Sequence, residues 1–378
     1  MLYASSRLTS QQLRYNKMKI ELNITPIENK LENPNWPLLI AGPCSAESEE
    51  QMVDTAAKLK ASKRISFFRA GVWKPRTRPG MFEGVGEIGL KWMQTVKEAT
   101  GLPTACEIAT PEHAELALKY GIDMLWVGAR TSVNPFAVQD IANCIKGSNV
   151  AVLVKNPVNP DLQLWLGALE RINEAGITRL AAIHRGFSSY EKTPFRNDPM
   201  WKLAIELKTT CPNLPIINDP SHIAGVRELV PLIAQKALNL DMDGLMIEVH
   251  NNPTIAKSDA KQQLLPEDYA QMIYDLQLRE VSTSMRMKPS ELEMYRQEID
   301  SIDEIIIQKL ARRMELSRKI GQYKKDHSLM VLQVGRWEEI LRNRIAMGAA
   351  MGLNPKFMKQ LLEMLHEESI NLQTELSE

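Results

Sequence analysis

Eight apolar runs, separated by amphipathic segments, occupy the first 250 residues of the chain. The runs are Pro37–Cys44, Ile65–Gly71, Pro103–Ala109, Met124–Ala129, Val150–Asn156, Arg179–Arg185, Pro215–His222 and Gly244–His250. Each has six to eight residues, as expected for buried strands, because parallel strands covered on both faces are apolar throughout. Eight strands alternating with helices in about 250 residues predict a (β/α)8 barrel. An open, doubly wound sheet shares this alternation and is the alternative.

The segments between the runs show the apolar spacing of helices. They include Glu49–Lys60, Glu87–Thr100, Pro111–Tyr120, Leu162–Ala175, Pro199–Cys211 and Val226–Leu240. Before the first run, residues 18–34 predict a short strand and a turn. Residues 1–35 are interpreted as an N-terminal extension, in which Met18 is an alternative start.

A polar or metal-binding side chain stands at or near the end of every run. These side chains are Cys44, Arg69, Glu107, Arg130, Lys155, Arg185, His222 and Glu248. In a barrel the carboxyl ends of all strands meet on one face, whereas the edge strands of an open sheet have little reason to carry such groups. The pattern therefore favours the barrel, which is predicted to span residues 36–280.

The strand pattern stops near residue 280. Residues 281–289 are interpreted as a linker, and Ser290 with Glu293 forms a capping box for a helix that runs to about Lys325. Further helices are predicted over Val334–Met351 and from Asn354-Pro355 to about Glu375, so residues 290–378 form an all-helical domain. The first of these helices would be about 54 Å long. Because so small a domain cannot bury a helix of that length, a homodimer through these helices, or a larger homo-oligomer, is predicted.

Composition excludes several classes of partner. Lys and Arg total 46, as do Asp and Glu, so charge favours neither nucleic acid nor a membrane surface. No apolar run approaches the roughly 20 residues of a membrane span. The four cysteines form no CxxC pair, which fits a reducing cytosol.

The predicted barrel mouth combines many cations with a set of metal ligands. The cations are Arg69, Lys74, Arg76, Arg130, Lys155 and Arg185. Because so many cations repel one another, anionic substrates with phosphate or carboxylate groups are expected. Cys44, His222, Glu248 and Asp259 suit a divalent ion that polarises a carbonyl oxygen. The simpler alternatives are polar rim residues and an inert buried cysteine.

Five motifs resemble those of the type I beta group of 3-deoxy-D-arabino-heptulosonate 7-phosphate (DAHP) synthases. They are Ala41-Gly-Pro-Cys-Ser, Lys74-Pro-Arg-Thr, Gly128-Ala-Arg, Asp219-Pro-Ser-His and Glu248-Val-His, in the family's order. The resemblance implies condensation of phosphoenolpyruvate with erythrose 4-phosphate, the first step of the shikimate pathway. It also implies that Cys44, His222, Glu248 and Asp259 bind the metal. Mn²⁺ is favoured, with Fe²⁺, Co²⁺ and Zn²⁺ as alternatives.

The same resemblance implies roles for the other groups of the mouth. Arg130 and Arg185 would hold the phosphate of phosphoenolpyruvate, and Arg69, Lys74 and Lys155 would face its carboxylate. Arg76 and Thr77 would hold erythrose 4-phosphate, and Glu107 would lie beside the reacting centre. Lys74 or a metal-bound water is the candidate proton donor, and His184, where many relatives carry Glu, receives no role. The alternative is a 3-deoxy-octulosonate 8-phosphate type of synthase, whose loop lacks Lys-Pro-Arg-Thr.

In the helical tail, Arg313 and Lys324 are eleven residues apart and therefore lie within about 20° of each other around a helix. The pair can converge on a small dianion, whereas Arg296, about 100° away, would have to come from a partner chain. Ser369 and Gln373 also share a face. The simpler interpretation is a solvated charged helix.

The tail resembles an AroQ-type chorismate mutase over about residues 290–374. The residues that match its substrate-binding pattern are Arg296, Arg313, Lys324, Arg336, Ser369 and Gln373. The match implies rearrangement of chorismate to prephenate, with Lys324 and Gln373 stabilising charge on the ether oxygen. Trp337 and Gln333 stand where many members have Glu and Asp that help hold the substrate hydroxyl, so weak turnover is expected. A non-catalytic dimerisation and regulatory module is the alternative, and the tail is also the predicted allosteric sensor of chorismate or prephenate.

Overall fold

The computed structural model describes residues 19–29, 31, 36–75, 80–190, 192–278, 291–330 and 334–375. The chain divides into two compact units, Met1–Val281 and Ser282–Glu378. The predicted linker, 281–289, lies outside the described residues. None of the helices in the described ranges has the length and apolar character needed to cross a bilayer.

Eight parallel strands in the first unit close into a barrel in chain order. They are β1 Leu38–Gly42, β2 Phe67–Ala70, β3 Thr104–Ile108, β4 Met124–Val127, β5 Ala151–Lys155, β6 Leu180–His184, β7 Ile216–Asn218 and β8 Gly244–Glu248. The last strand pairs with the first in a register from Leu38–Gly244 to Gly42–Glu248. The predicted barrel is therefore confirmed, and the open sheet is excluded.

The first unit contains nine α-helices in its described residues, and five of them begin at a side chain that accepts a hydrogen bond from a backbone N–H of the first turn. They are α1 Glu49–Ala61, α2 Glu87–Thr100, α3 Pro111–Lys119, α4 Pro135–Ile145, α5 Leu162–Glu174, α6 Trp201–Thr210, α7 Pro220–Ala224, α8 Val230–Asn239 and α9 Pro266–Asp275. Ser48, Thr110 and Asp161 each accept a hydrogen bond from a backbone N–H three residues later. Such caps typically stabilise a helix by about 1 kcal/mol, so several helix starts are encoded locally.

The apolar side chains form two layers. The barrel interior is filled by a cluster that includes Ile40, Phe67, Trp126 and Met246. A larger cluster, which includes Phe68 and Trp165, lies between the strands and the helices. Because successive strand residues point to opposite faces, each strand contributes to both layers and is apolar throughout.

Two local predictions were wrong. The seventh run was expected to be a strand ending at His222, but β7 ends at Asn218 and His222 lies in α7. The reason is that Asp219 accepts a hydrogen bond from the His222 N–H and Pro220 occupies the first helical turn, so a helix starts there. Residues 19–29 carry no strand; instead, Ile20 N–H donates to the Thr210 carbonyl at 2.8 Å.

The second unit contains three helices in its described residues. They are α10 Glu291–Asp326, α11 Val334–Ala350 and α12 Pro355–Glu375, which confirms the predicted helical tail. Both α10 and α11 pack against α12. A Cβ at Gly321 would lie 3.0 Å from Cα of Gln373, so this glycine permits the close approach of α10 and α12.

Candidate active sites

The four predicted metal ligands lie together at the carboxyl end of the barrel. Donor atoms of Cys44, Glu248 and Asp259 are all within 4.8 Å of one another. Nε2 of His222 lies 3.8 Å from Oε1 of Glu248 and 3.9 Å from Oδ2 of Asp259. The ligands come from the loop after β1, from α7, from the end of β8 and from the loop beyond it.

The hydrogen bonds around this cluster leave its donor atoms directed at a shared position. Nδ1 of His222 lies 3.0 Å from the buried carboxylate of Asp219. This carboxylate accepts a hydrogen bond from Nδ1–H, so the proton stays on Nδ1 and the free lone pair is on Nε2. Oε2 of Glu248 accepts from Gln262 at 2.7 Å. Oε1 of Glu248 is buried and has no hydrogen-bond partner within the described ranges. A buried carboxylate oxygen that accepts no hydrogen bond, beside a sulfur and an imidazole nitrogen, fits a divalent ion.

Charged neighbours hold the acids of the cluster in their ionised form. Burial raises the pKa of Asp219, but His222 and Lys155 outweigh it and hold that pKa well below its usual range. Burial likewise raises the pKa of Asp259, and His222 and Arg196 outweigh it, so the net shift is downward. Both carboxylates are therefore anionic at neutral pH.

Three polar residues of this shell were not assigned from the sequence. Arg196 Nη1 contacts Oδ1 of Asp259 at 2.9 Å and Oε1 of Gln262 at 2.8 Å. Asp219, although part of a quoted motif, had received no role. Its position three residues before a histidine was a usable signal, whereas the loop that brings Arg196 to Asp259 leaves no local pattern.

Arg69 and Lys155 are buried cations of the mouth, each held by one carboxylate. Arg69 is 1% exposed, and its Nη2 lies 3.4 Å from Oε1 of Glu248. Its Nε and Nη1 are buried and make no hydrogen bond to a described residue. Lys155 Nζ lies 2.8 Å from Asp219. The Arg69 guanidinium therefore has two nitrogens, with three N–H groups between them, left for an anionic ligand.

Arg185 is oriented by two asparagines. Its backbone N–H donates to Asn156 and its Nη1 donates to Asn197, both at 2.7 Å. Burial, followed by the neighbouring Arg196 and Arg130, lowers the pKa of Arg185 to about 10. It is still charged at neutral pH, and its cationic neighbours show that this side of the mouth favours an anion.

Lys74 and Glu107 also belong to this site. Lys74 Nζ lies 3.2 Å from Sγ of Cys44 and 3.0 Å from the Cys44 carbonyl oxygen. Glu107 is on β3, and a Cβ at Gly128 would lie 2.2 Å from its Oε1, so only glycine leaves room for this carboxylate. Arg76 and Thr77, the predicted aldose-phosphate ligands, lie outside the described residues.

His184 is fully buried beside the mouth. Its Nε2 lies 2.6 Å from the Pro199 carbonyl, and its Nδ1 lies 3.0 Å from Nδ2 of Asn218. Both ring nitrogens are satisfied by a neutral imidazole that donates from Nε2 and accepts at Nδ1. These contacts make His184 a packed polar residue of the barrel rather than a ligand.

In the helical unit, two predicted cations contact two predicted polar groups of α12. Arg313 Nη1 donates to the Ser369 hydroxyl at 2.5 Å and to the Leu365 carbonyl at 2.9 Å. Lys324 Nζ donates to Oε1 of Gln373 at 3.1 Å. Ser369 and Gln373 are buried, so these contacts fix the two cations along one side of α12.

The other predicted groups of this site are more exposed. Arg336 pairs with Glu339 on its own helix at 2.8 Å, and Arg296 is exposed on α10. The ring of Trp337 stacks on that of His366 with centroids 3.9 Å apart and planes 5° apart. Gln333 lies outside the described residues.

Two family profiles match the chain. The DAHP synthetase I family matches residues 26–284, and chorismate mutase type II matches residues 295–374. The phospho-2-dehydro-3-deoxyheptonate aldolase of Thermotoga maritima is 29% identical over 71% of this chain and 76% of that protein. A 2-dehydro-3-deoxyphosphooctonate aldolase of Thioalkalivibrio sulfidiphilus is 29% identical over 63% of this chain and 87% of that protein.

Solved structures give the same result. The crystal structure of the Thermotoga maritima DAHP synthase aligns with a TM-score of 0.59 at 28% identity, over 67% of this chain and 72% of that chain. A truncated form of the enzyme from that organism aligns with a TM-score of 0.58 at 26% identity, over 67% and 90%. The chain belongs to the DAHP synthetase I family, and its helical unit is a type II chorismate mutase domain, so one polypeptide combines condensation of phosphoenolpyruvate and erythrose 4-phosphate with rearrangement of chorismate.

Proposed function

We propose that the barrel performs its condensation with a divalent ion held by Cys44, His222, Glu248 and Asp259. The observation that carries this proposal is the convergence of four donor groups, one of them a buried carboxylate oxygen without a hydrogen-bond partner among the described residues, with the His222 tautomer set by Asp219. The mixed sulfur, nitrogen and oxygen set suits a first-row divalent ion. We propose Mn²⁺ on the strength of the family resemblance, with Fe²⁺, Co²⁺ or Zn²⁺ as alternatives. When bound, the ion supplies Lewis acidity to the aldehyde oxygen of erythrose 4-phosphate.

The cations of the mouth bind phosphoenolpyruvate in this proposal. Arg69, Lys155 and Lys74 face its carboxylate, and Arg130 and Arg185 hold its phosphate. The N–H groups on Nε and Nη1 of Arg69, which make no hydrogen bond to a described residue, support this arrangement, because a buried guanidinium requires partners for them. Arg76 and Thr77 bind the phosphate of erythrose 4-phosphate, on the strength of the motif alone.

The chemical step then needs one proton donor and one positioned water. C3 of phosphoenolpyruvate attacks the aldehyde carbon, the new carbon–carbon bond forms, and positive charge develops at C2. Lys74 donates a proton to the aldehyde oxygen, since its ammonium stands beside Cys44 at the ligand cluster. Glu107, next to the reacting centre, orients the water that adds at C2 and accepts one of its protons. The C2–O bond to phosphate then breaks, and the departing phosphate takes the second proton, which leaves a ketone at C2.

The helical domain binds chorismate through Arg313, Lys324, Arg336, Ser369 and Gln373. Arg313 and Arg336 hold the two carboxylates, while Lys324 and Gln373 stabilise charge on the breaking ether oxygen. Their support is the pair of fixed contacts between α10 and α12. Arg296 joins the site from a second copy of the chain.

A homodimer through α10 follows from the apolar surface of this helix. Ile299, Ile302, Ile306, Ile320 and Tyr323 are each between 48% and 58% exposed. So many half-exposed large apolar side chains on one helix favour an interface. We further propose that chorismate or prephenate bound to the helical domain inhibits the synthase, as an effector that prefers the inhibited arrangement would do.

The four free cysteines support a reducing cytosol.

A coupled measurement of both activities tests the metal proposal. The full chain is assayed for synthase and mutase turnover after treatment with a chelator and again after addition of Mn²⁺. Loss and recovery of the synthase, with the mutase unchanged throughout, is the expected result, because the metal-ligand cluster found among the described residues lies in the barrel. A synthase that survives thorough metal removal contradicts the proposal.

The choice of aldose has a separate test, because octulosonate-type relatives match the barrel at similar identity. Erythrose 4-phosphate and arabinose 5-phosphate are compared by kcat/KM. The chain also carries a chorismate mutase domain, whose reaction belongs to aromatic biosynthesis. A preference for erythrose 4-phosphate, the aldose of that pathway, is therefore expected. A preference for arabinose 5-phosphate would support the octulosonate-type alternative.

Regulation is tested by titrating prephenate against the synthase of the wild type and of Arg313→Ala. Inhibition that weakens in the variant supports the helical site as the sensor. Equal inhibition of both proteins contradicts it.

A further inference from the structure

His366 shares a face of α12 with the two groups that contact the mutase cations. It precedes Ser369 by three residues and Gln373 by seven, and seven residues return to within about 20° of the same direction around a helix. Ser369 binds Arg313, and Gln373 binds Lys324. His366 therefore extends the polar side of α12 that carries the proposed site.

Trp337 brings α11 to the same place. It follows Arg336 directly and lies near the start of α11, and its ring is stacked flat on the imidazole of His366 with centroids 3.9 Å apart. Such a stack restricts the plane of both rings. The orientation of His366 is thus fixed by a residue next to a proposed carboxylate ligand.

One nitrogen of His366 is left unsatisfied. Nε2 is buried and makes no hydrogen bond to any residue that the structure describes. A buried polar atom without a partner destabilises the folded state, so such atoms in native proteins call for an explanation. Burial, with Arg313 and Lys324 as positive neighbours, lowers the pKa of His366. The imidazole is therefore neutral and can either donate or accept a hydrogen bond.

The chemistry of chorismate indicates what this nitrogen binds. Chorismate has two carboxylates, one ether oxygen and one ring hydroxyl. The cations and Gln373 account for the carboxylates and the ether oxygen, which leaves the hydroxyl. By the resemblance described above, Trp337 and Gln333 stand where many members of this family carry the acids that hold the hydroxyl.

We propose that His366 is a substrate-binding residue of the mutase site, whose Nε2 hydrogen-bonds the ring hydroxyl of chorismate while Trp337 holds the imidazole in place. The inference rests on the mutase site proposed above. In this arrangement the ring hydroxyl is bound by a neutral imidazole instead of a carboxylate, and a hydrogen bond to a neutral group is weaker than one to a charged group. Turnover that depends on the hydroxyl, but less strongly than with an acid, is the consequence.

The test compares two substrates on two forms of the full chain. His366→Phe keeps an aromatic ring against Trp337 but removes Nε2. With chorismate, kcat/KM is expected to fall about tenfold, the scale of one neutral hydrogen bond. With the chorismate analogue that lacks the ring hydroxyl, wild type and variant should agree within about twofold, because neither can form the bond.

Two further variants separate this role from packing. His366→Gln keeps a polar group near the position of Nε2 and should recover most of the chorismate rate. His327→Phe is a matched control, since His327 is an exposed histidine of the same unit that stacks on Tyr323 with centroids 4.0 Å apart. The control should leave the rates with both substrates unchanged.

The possible failures are distinguishable. Equal losses with both substrates show that His366 only supports packing, and unchanged rates show that it has no role; either result overturns the inference. If the wild type itself does not turn over chorismate, or if Arg313→Ala is as fast as the wild type, the proposed mutase site fails, and the assignment of His366 fails with it.

Discussion

The barrel site and the mutase site hold their charged groups in different ways. In the barrel, Asp219 and Glu248 are fully buried, and each lies next to a buried cation. In the helical unit, Arg296 and Arg336 are exposed, and Arg336 pairs with a residue of its own helix. The charged groups of the barrel site are thus held by further buried side chains. In the mutase site, the charged groups with fixed contacts are Arg313 and Lys324, which both bind side chains of α12.

The difference follows from the geometry of the two folds. A closed barrel directs eight strand ends to one mouth, so ligands far apart in sequence meet inside a single chain. Three helices enclose only part of a ligand, and α10 exposes an apolar stripe that a second copy would cover. A site complete within one chain is expected to tolerate dilution, whereas a site shared between copies is not.

The largest expected effect separates the two sites completely. Cys44→Ala and His222→Ala are each expected to lower synthase kcat/KM by at least about a thousandfold, because loss of a ligand removes several kcal/mol of charge stabilisation. Mutase activity of the same proteins should be unchanged, which also shows that they fold. Metal-dependent synthase turnover retained in both variants would refute the ligand assignment.

The second prediction examines how well the barrel interior excludes water. Burial lowers the pKa of His184 from 6.5 to about 4. Because its folded pKa is depressed, His184 favours the folded state above pH 6.5, and this contribution is lost as the pH falls towards 4. The loss amounts to about 3 kcal/mol.

The measurement is the free energy of unfolding of the barrel as a function of pH, with chelator present so that metal release does not contribute. His184→Gln removes the titrating group and serves as the reference. The difference between the two proteins should change between pH 6.5 and 4 and be constant above it. A difference that does not vary with pH would show that His184 is accessible to water.

Much of the barrel was predictable because its information is local. Fully apolar runs identify β1 to β8, and caps such as Ser48 and Thr110 mark helix starts. Strand ends were less accurate, because residues just beyond them, such as Cys44, are also buried in the loops above the barrel. An apolar run in the sequence indicates that residues are buried, not that they belong to a strand. At the barrel mouth, residues beyond the last hydrogen bond between strands are still buried, so the run extends past the end of the strand.

The contacts that tune the two sites were not predictable. Arg196 and Asp259 are 63 residues apart, and their pairing depends on the paths of two loops. The stack of Trp337 on His366 joins two helices, although the sequence showed only that an acidic residue was missing. Residue types at strand ends indicate which chemistry is possible, but the partners that orient them are set by tertiary packing.

Asp219 provides a graded test of the barrel's outer layer. Asp219→Asn removes the charge that fixes the proton on His222 Nδ1 and pairs with Lys155. Metal affinity, or synthase activity at limiting metal, should fall about 10–100-fold, as is usual for groups behind a ligand. The measurement is a metal titration with activity as the readout.

Asp123→Asn is the matched control for that experiment. Asp123 pairs with Lys97 at 2.7 Å and precedes β4, at the opposite end of the barrel from the ligands. Its variant should bind metal like the wild type. An equal loss in both variants would attribute the effect to general destabilisation of the barrel rather than to the His222 contact.

The smallest effect is expected in the mutase site. Arg313→Ala and Lys324→Ala should each lower mutase kcat/KM by at least about tenfold, or roughly 1.4 kcal/mol, because each removes a charge-assisted contact to the substrate. Arg312→Ala is the control, since Arg312 is adjacent in sequence, exposed and paired with Glu315 on its own helix. Synthase activity should be unchanged in all three without effector. Wild-type mutase rates in the Arg313 and Lys324 variants would favour a non-catalytic module. The barrel would then hold a catalytic site, whereas the helical site would only bind a ligand.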